Sequence, residues 1–264
     1  MLAQQLGISA DRVVMRQGDS GLGVASASTV ASRSAVTVGT AIVRAAETAI
    51  RKGKKLAADA LEAADTDIVY HEGAFIVTGT DRRIDLFDLA KRAKDRRRRG
   101  EIVEDLDTKL TANTPQTFPN GCHIAEVEID PETGATALVG YTAVDDCGNV
   151  LDHMVVEGQV HGAIVQGLGQ ALLEQLVYDR AGQLLTGSLM DYAMPRACDV
   201  PRLAVAEHSV PATTNPLGVK GVGEAGTTGA LAAIMNAIAD AVPGAAHLDM
   251  PATPEKIWAA CRRR

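Results

Sequence analysis

Close-set cysteines are missing from this sequence. Cys122, Cys147, Cys198 and Cys261 are the only four, separated by 25, 51 and 63 residues. No Cys-x-x-Cys pair or other short metal spacing occurs, so the chain encodes neither a zinc site nor a protein-ligated iron–sulfur cluster. Apolar runs approaching the ~20 residues of a membrane span are lacking as well. A basic excess is also absent: 26 Lys and Arg stand against 33 Asp and Glu, for a formal net charge of −7. That balance argues against a dedicated binder of nucleic acid or of an anionic membrane, whose phosphates need a basic surface to neutralise them. The glycines follow no period and no internal repeat is visible, which excludes a collagen-like chain. Residues 1–5 carry neither the basic region nor the small-residue cleavage site of a signal peptide. Free thiols in a reducing cytoplasm are the simplest reading of these absences.

What is present is a chain of 264 residues, 46% of them hydrophobic. That apolar content excludes disorder, and the length accommodates one large domain or two ordinary ones. Residues 1–10 read as the end of an amphipathic helix with Leu2, Leu6 and Ile8 apolar, running uncapped into a strand at 12–16. The expectation is a chain that begins in mid-fold, as a fragment or as one half of a split subunit. Residues 18–34 form a small-residue loop, either a ligand loop rich in amide and hydroxyl donors or a flexible surface segment. Helical periodicity covers 35–64, with only Gly53 to interrupt it. A hairpin at 68–70 and 74–78 turns at His71-Glu72-Gly73, and a short helix at 86–93 runs into KRAKDRRRR at 91–99. That run and 262–264 are the dense basic patches. They read as solvated helix ends, with docking to an acidic partner or nucleic acid as the other reading.

Residues 101–119 are polar, threonine-rich and broken by proline, and serve as a linker. Beyond them, strands at 122–130 and 135–144 are joined by Pro131-Glu132-Thr133-Gly134, and residues 145–149 break the second strand. A helix at 157–176 places Val160, Ile164, Leu168, Leu172 and Leu176 on one stripe. A hairpin at 178–185, a strand at 203–210, a Gly/Pro/Thr loop at 211–226 and an apolar helix at 227–241 follow. The last helix starts at Thr253-Pro254, an N-cap residue followed by proline at the first helical position. Strands and helices mix without a regular βαβ alternation, so the expected class is α+β, with mixed sheets and packed helices. The expected organisation is a first subdomain at 1–100, a linker at 101–119 and a second subdomain at 120–264.

Two glycine-rich stretches carry the chemistry. In LGVKGVGEAGTTG (217–229), five glycines surround one acid, Glu224, just before an apolar helix. A carboxylate on such a loop, near apolar groups, is able to act as a base near neutral pH. The competing reading makes Glu224 a helix cap acting through the dipole. In HGAIVQGLGQALLEQL (161–176), preceded by Glu157-Gly158-Gln159, the amides of Gln159 and Gln166 share one helix face, able to meet the edge of a heterocycle. The Gly-Leu-Gly here completes no dinucleotide fingerprint, because no strand precedes it directly. Its glycines also fit a second role, close helix packing.

The order of these elements resembles the C-terminal part of the molybdenum-binding subunit of the molybdenum hydroxylases, the family of xanthine dehydrogenase, aldehyde oxidase and aerobic carbon monoxide dehydrogenase. The matching stretches are 29–42, 117–134, 144–179, 189–201 and 213–241, with GVGE at 221–224 the most specific. The resemblance implies a molybdenum–molybdopterin cofactor, in the cytosine dinucleotide form usual in bacteria, with no metal ligand from this chain. It makes Glu224 the general base in hydroxylation of an N-heterocycle or aldehyde with water-derived oxygen. It places Ala31, Ser32 and Ser34 on the loop that holds the pterin and its phosphates, and makes Gln159 a pterin-contacting amide. Gly221 and Gly223 join that cofactor-binding set, and Lys220 stands beside the base to order it. Electrons would leave through 2Fe–2S clusters to FAD, both on partner subunits.

The implied partners are an upstream half of the molybdenum subunit, an iron–sulfur subunit, a flavin subunit and a small-molecule substrate, in a hetero-oligomer. The family's long preceding portion is absent from this sequence, and 21–28 is less glycine-rich than the family pattern. Two other readings remain: an inactive fragment serving folding or assembly, and a free-standing nucleotide-binding module.

Overall fold

The computed structural model describes residues 1–23, 28–101 and 103–262. Part of the 18–34 loop, part of the 21–28 stretch and the end of the 262–264 cluster therefore lie outside the described residues. The chain separates into two compact units, Met1–Ser28 with Ser34–Pro115, and Thr29–Arg33 with Gln116–Arg264. The class is α+β, with two separate three-stranded sheets and helices packed on them. Among the described residues no helix is long and apolar enough to cross a membrane.

In the first unit, a proline-free run with small and apolar residues on one face forms α2 (Ser34–Leu61), after the short α1 (Leu2–Leu6). The strands β1 (Ile68–His71), β2 (Ala74–Val77) and β3 (Arg83–Asp85) form an antiparallel sheet, and α3 (Leu86–Arg98) follows directly. Ala57, Ile68, Phe75, Val77, Leu86 and Leu89 form the core. Gly53 is explained by that core, since a β-carbon there would lie 2.8 Å from Cε1 of the Phe75 ring. The helix runs through a glycine because an aromatic ring occupies the place of its side chain.

Two expectations for this unit are corrected, and one strand is added. Residues 12–16 are not a strand: Ala10–Arg12 is a turn of 3₁₀ helix, and the Arg12 guanidinium lies 4.1 Å from the centre of the Phe87 ring. β3 was not legible because it is three residues long with Arg83 and Asp85 exposed, which leaves no hydrophobic alternation to read. α3 continues to Arg98 because Arg is a good helix former and is favourable in a last turn. Its start is set by Asp85, whose carboxylate accepts from the Phe87 amide at 2.7 Å. The basic run is matched by acids of the same unit: Arg96 pairs with Asp59 and with Glu101 at 2.6 Å, Arg97 with Asp105, and Arg99 with Glu101 at 3.2 Å.

The second unit is built on β4 (Asn120–Ile129) and β5 (Thr136–Asp146), an antiparallel hairpin around 131–134. The Asp130 carboxylate holds that turn, accepting from the Glu132 amide at 2.9 Å and the Thr133 hydroxyl at 2.7 Å. The short β6 (Leu203–Glu207) pairs parallel to β5. Between them runs α4 (His153–Leu172), and α5 (Ala225–Ala241) and α6 (Pro254–Cys261) complete the unit. Val160, Ile164, Leu168 and Leu172 of α4 join Ile234 and Ile238 of α5 in one core with Leu138 and Tyr141 of β5.

Here too the boundaries move for physical reasons. α4 begins four residues early because Asp152 caps it, accepting from the Val155 amide at 3.1 Å. It ends at Leu172, and Leu176 lies outside it, exposed. The expected hairpin at 178–185 reduces to a single bridge between Tyr178 and Leu184. β6 stops at Glu207, and β5 is not broken at 145 but includes Asp145 and Asp146, paired with Gly121 and Asn120. Both carboxylates are buried, which a sequence reading takes for a loop unless their partners are known.

The two helices α4 and α5 touch through glycine. A β-carbon on Gly167 would lie 2.6 Å from the Ala230 β-carbon, whereas one on Gly162 meets nothing within 4 Å. The same substitution on the same helix therefore has opposite signs. In chemical denaturation, Gly167→Ala is expected to destabilise by about 1–3 kcal/mol through overpacking, and Gly162→Ala to stabilise by roughly 0.5–1 kcal/mol through helix propensity.

Candidate functional site

The end of β5 and the loop before α5 are laced together. Gly148 forms a bridge with Val219, the Lys220 amide donates to the Cys147 carbonyl at 2.7 Å, and the Asn149 amide donates to the Gly218 carbonyl at 2.9 Å. The Asn149 side chain adds a bond to the Leu217 carbonyl at 2.8 Å. Within the loop, buried Asn215 accepts from the amides of Leu217 and Val219 and donates to the Val219 carbonyl. Gly148 adopts φ +68°, and a β-carbon there would run into the Gly218–Lys220 backbone. Glycine is required at this crossing for both reasons.

That frame presents Gly221, Gly223 and Glu224 to the 29–33 segment of the same unit. Ala31 and Ser32 are both left-handed, at φ 55° and 50°, a conformation costly for residues with a β-carbon. Two successive residues of this kind make a tight turn in the backbone. Space for the segment comes from Gly221, whose β-carbon would fall 2.8 Å from the Ser32 β-carbon. A β-carbon on Gly223 would fall 3.2 Å from both the Gln159 amide nitrogen and the Ser32 hydroxyl. The Ser32 hydroxyl donates to Oε2 of Glu224 at 2.9 Å.

Ser32, Gln159, Gly221, Gly223 and Glu224 are thus brought together. Glu224 stands at the N-cap position of α5, but its side chain makes no capping bond there. It is exposed, and its carboxylate is engaged by Ser32. Ser34 is the first residue of α2, in the first unit.

Lys220, four residues before Glu224, is held by an acid at the end of β5. Its ammonium donates to Oδ2 of Asp146 at 2.5 Å, with both side chains largely buried. Asp146 was missed by the sequence reading, which took 145–149 as a simple break; an acid ending a strand ahead of Gly148-Asn149 was the available signal. Its other oxygen accepts from the amides of Gly148 at 2.8 Å and Val210 at 3.0 Å. Burial pushes the Asp146 carboxyl up, but the Lys220 ammonium and the two amides outweigh it and hold the pKa at about 2.

A second buried polar group lies alongside. The His123 ring meets the Tyr141 hydroxyl at 2.8 Å through Nδ1 and the Asp145 carboxylate at 3.2 Å through Nε2. Burial, reinforced by the nearby Asp145 charge, drives the Tyr141 phenol well above its ordinary range. Gly229 of α5 lies against the imidazole, which accounts for a further glycine of the loop–helix stretch.

Comparison with known proteins decides the family. The molybdopterin cofactor-binding domain model matches residues 1–201. This chain belongs to that family. It is 35% identical over 97% of its length to the nicotine 6-hydroxylase large subunit of Paenarthrobacter nicotinovorans, covering 32% of that protein. It is 33% identical over 99% of its length to subunit gamma of the 6-hydroxypseudooxynicotine dehydrogenase complex of the same organism, covering 34%. Among solved structures, a Cu,Mo-CO dehydrogenase matches with a TM-score of 0.88 and 29% identity, over 98% of this chain and 33% of that one. The molybdopterin-binding chain therefore spans about a third of the length of these large-subunit relatives.

The residues present fit a molybdopterin group. Gln159 offers an exposed amide and Glu224 an exposed carboxylate, and the absence of β-carbons at Gly221 and Gly223 is what lets Ser32 and Gln159 come up beside that loop.

The Asp146 pair has a defined acid signature. A carboxyl held at about 2 when folded, against 3.8 as its ordinary value, adds stability that is complete above pH ~4 and is lost as pH falls toward 2. The gap in unfolding midpoint between the wild-type chain and Asp146→Asn is therefore expected to be widest above pH ~4 and to close on acidification. Denaturant titrations at stepped pH check this.

Proposed function

We propose that this chain forms the part of a molybdenum hydroxylase that holds the molybdenum–pterin group and carries the general base, Glu224. The substrate class is an N-heterocycle or an aldehyde, hydroxylated with oxygen derived from water. The observation that carries the reading is the Ser32–Glu224 contact, which sets a carboxylate on a glycine-lined loop beside the exposed amide of Gln159. The names of the heterocycle-oxidising relatives support the substrate class.

Residues 29–32, with Gln159, Gly221 and Gly223, hold the pterin, in its cytosine dinucleotide form. When bound, the group supplies two-electron redox chemistry at the substrate carbon. The chain's own contribution is proton handling. The Ser32 hydroxyl occupies Oε2 of Glu224, so Oε1 is the oxygen that takes the proton as the nucleophile adds. Holding that carboxylate in one orientation spares the reaction the cost of finding it. Residues 1–100 and 120–264 act as the two pterin-binding subdomains. The working enzyme is a cytoplasmic hetero-oligomer with an upstream portion of the molybdenum subunit, an iron–sulfur subunit carrying 2Fe–2S clusters and an FAD subunit.

In the assembled enzyme, Glu224→Gln is expected to lower kcat by at least ~100-fold, the range of a lost general base, while molybdenum and pterin content stay at wild-type levels. Turnover within about tenfold of wild type would remove Glu224 from this role. An assembly that carries molybdenum and pterin yet shows no turnover with intact Glu224 would favour the inactive-fragment reading.

A further inference from the structure

Asp146 is a single buried acid that gathers three separate stretches of the second unit. Its Oδ1 accepts from Gly148, in the turn after β5, and from Val210, beyond β6, while Oδ2 accepts from Lys220. Lys220 is four residues before Glu224 and adjoins Gly221. From Lys220 onward the route to the base is short and tightly packed. Gly221 is buried against Ser32, Gly223 lies between the Ser32 hydroxyl and the Gln159 amide, and Ser32 bonds to Glu224. Since the glycines leave no slack at these contacts, a displacement of Lys220 reaches the Ser32–Glu224 bond directly.

The backbone bonds of the crossing, Lys220 to Cys147 and Asn149 to Gly218, do not depend on the Asp146 side chain. What Asp146 alone contributes is a charged anchor on the Lys220 side chain. An ammonium buried to this degree needs such a partner, because without one it would turn toward water and draw the loop with it.

We infer that Asp146 is a positioning residue for Glu224, acting through Lys220 and the Gly221–Gly223 backbone. The inference rests on the reading of Glu224 as the base. It assigns Lys220 to the frame that orders the loop, with no direct contact to the pterin group required.

Asp146→Asn tests this, because it keeps an oxygen for the Gly148 and Val210 amides but presents a neutral amide to Lys220. In the assembled enzyme it is expected to lower kcat by ~10–100-fold, as a small misplacement of a reacting group does, while KM for substrate stays within about twofold. Amide hydrogen exchange on the same sample is expected to speed at least ~tenfold over 217–223 and 29–33, with the sheet β4–β5 unchanged. Should the single variant fail to accumulate, Lys220→Gln removes the charged anchor while Asp146 keeps its Gly148 and Val210 amides, and it is read in the same two ways. Unchanged exchange overturns the proposal, and so does faster exchange with unchanged kcat. Turnover retained in Glu224→Gln removes the base reading instead, and the exchange rates still report separately whether Asp146 holds the loop.

Discussion

The close approach of α4 and α5 fixes where everything else in the second unit goes. It depends on side chains that are absent. A β-carbon on Gly226 would lie 2.7 Å from the Val160 carbonyl and 2.8 Å from the Ala163 β-carbon, and Gly167 is as tightly placed against Ala230. The Thr227 hydroxyl then donates to the Ala163 carbonyl at 2.9 Å, which pins the first turn of α5 to the middle of α4. Gln159 stands one turn before Ala163, and Glu224 immediately precedes the helix being pinned. The amide and the loop that carries the carboxylate come together because two backbones do.

Around that contact the unit tolerates an unusual amount of buried polarity. Asp145, Asp146, His123 and Asn215 are all largely withdrawn from water, and each has partners in place. A buried ion is costly unless paired and hydrogen-bonded, so such groups contribute geometry more than net stability. The two adjacent acids divide the work. Asp145 faces the His123–Tyr141 pair inside the hairpin, and Asp146 faces the loop that carries Glu224.

Most regular elements were legible because their patterns are long. The periodicity that gives α2, the Val160–Leu172 stripe of α4 and the apolar run of α5 each repeats over several turns, and the 131–134 turn has a strong composition. What escaped was set by distant partners. β3 has no alternation of its own, the segment at 12–16 is held by contacts such as that of Arg12 with Phe87, and the last two residues of β5 are acids whose burial depends on Lys220 and His123. The glycine-rich loops stood out in the sequence, and the structure gives several of those glycines a particular neighbour: Ser32 for Gly221, Ala230 for Gly167, the His123 ring for Gly229. Composition shows that space is left at such positions, and only coordinates show what fills it.

The second unit is discontinuous in the chain. It takes in 29–33, gives way to Ser34–Pro115 of the first unit, and resumes at Gln116. Ser32 and Glu224 are 192 residues apart when they meet. On a ribosome, Ser32 emerges before α2, both sheets and α4 are made, and its partner follows only after them. A group that needs both sides of this contact therefore has no complete seat until Glu224 itself has been made.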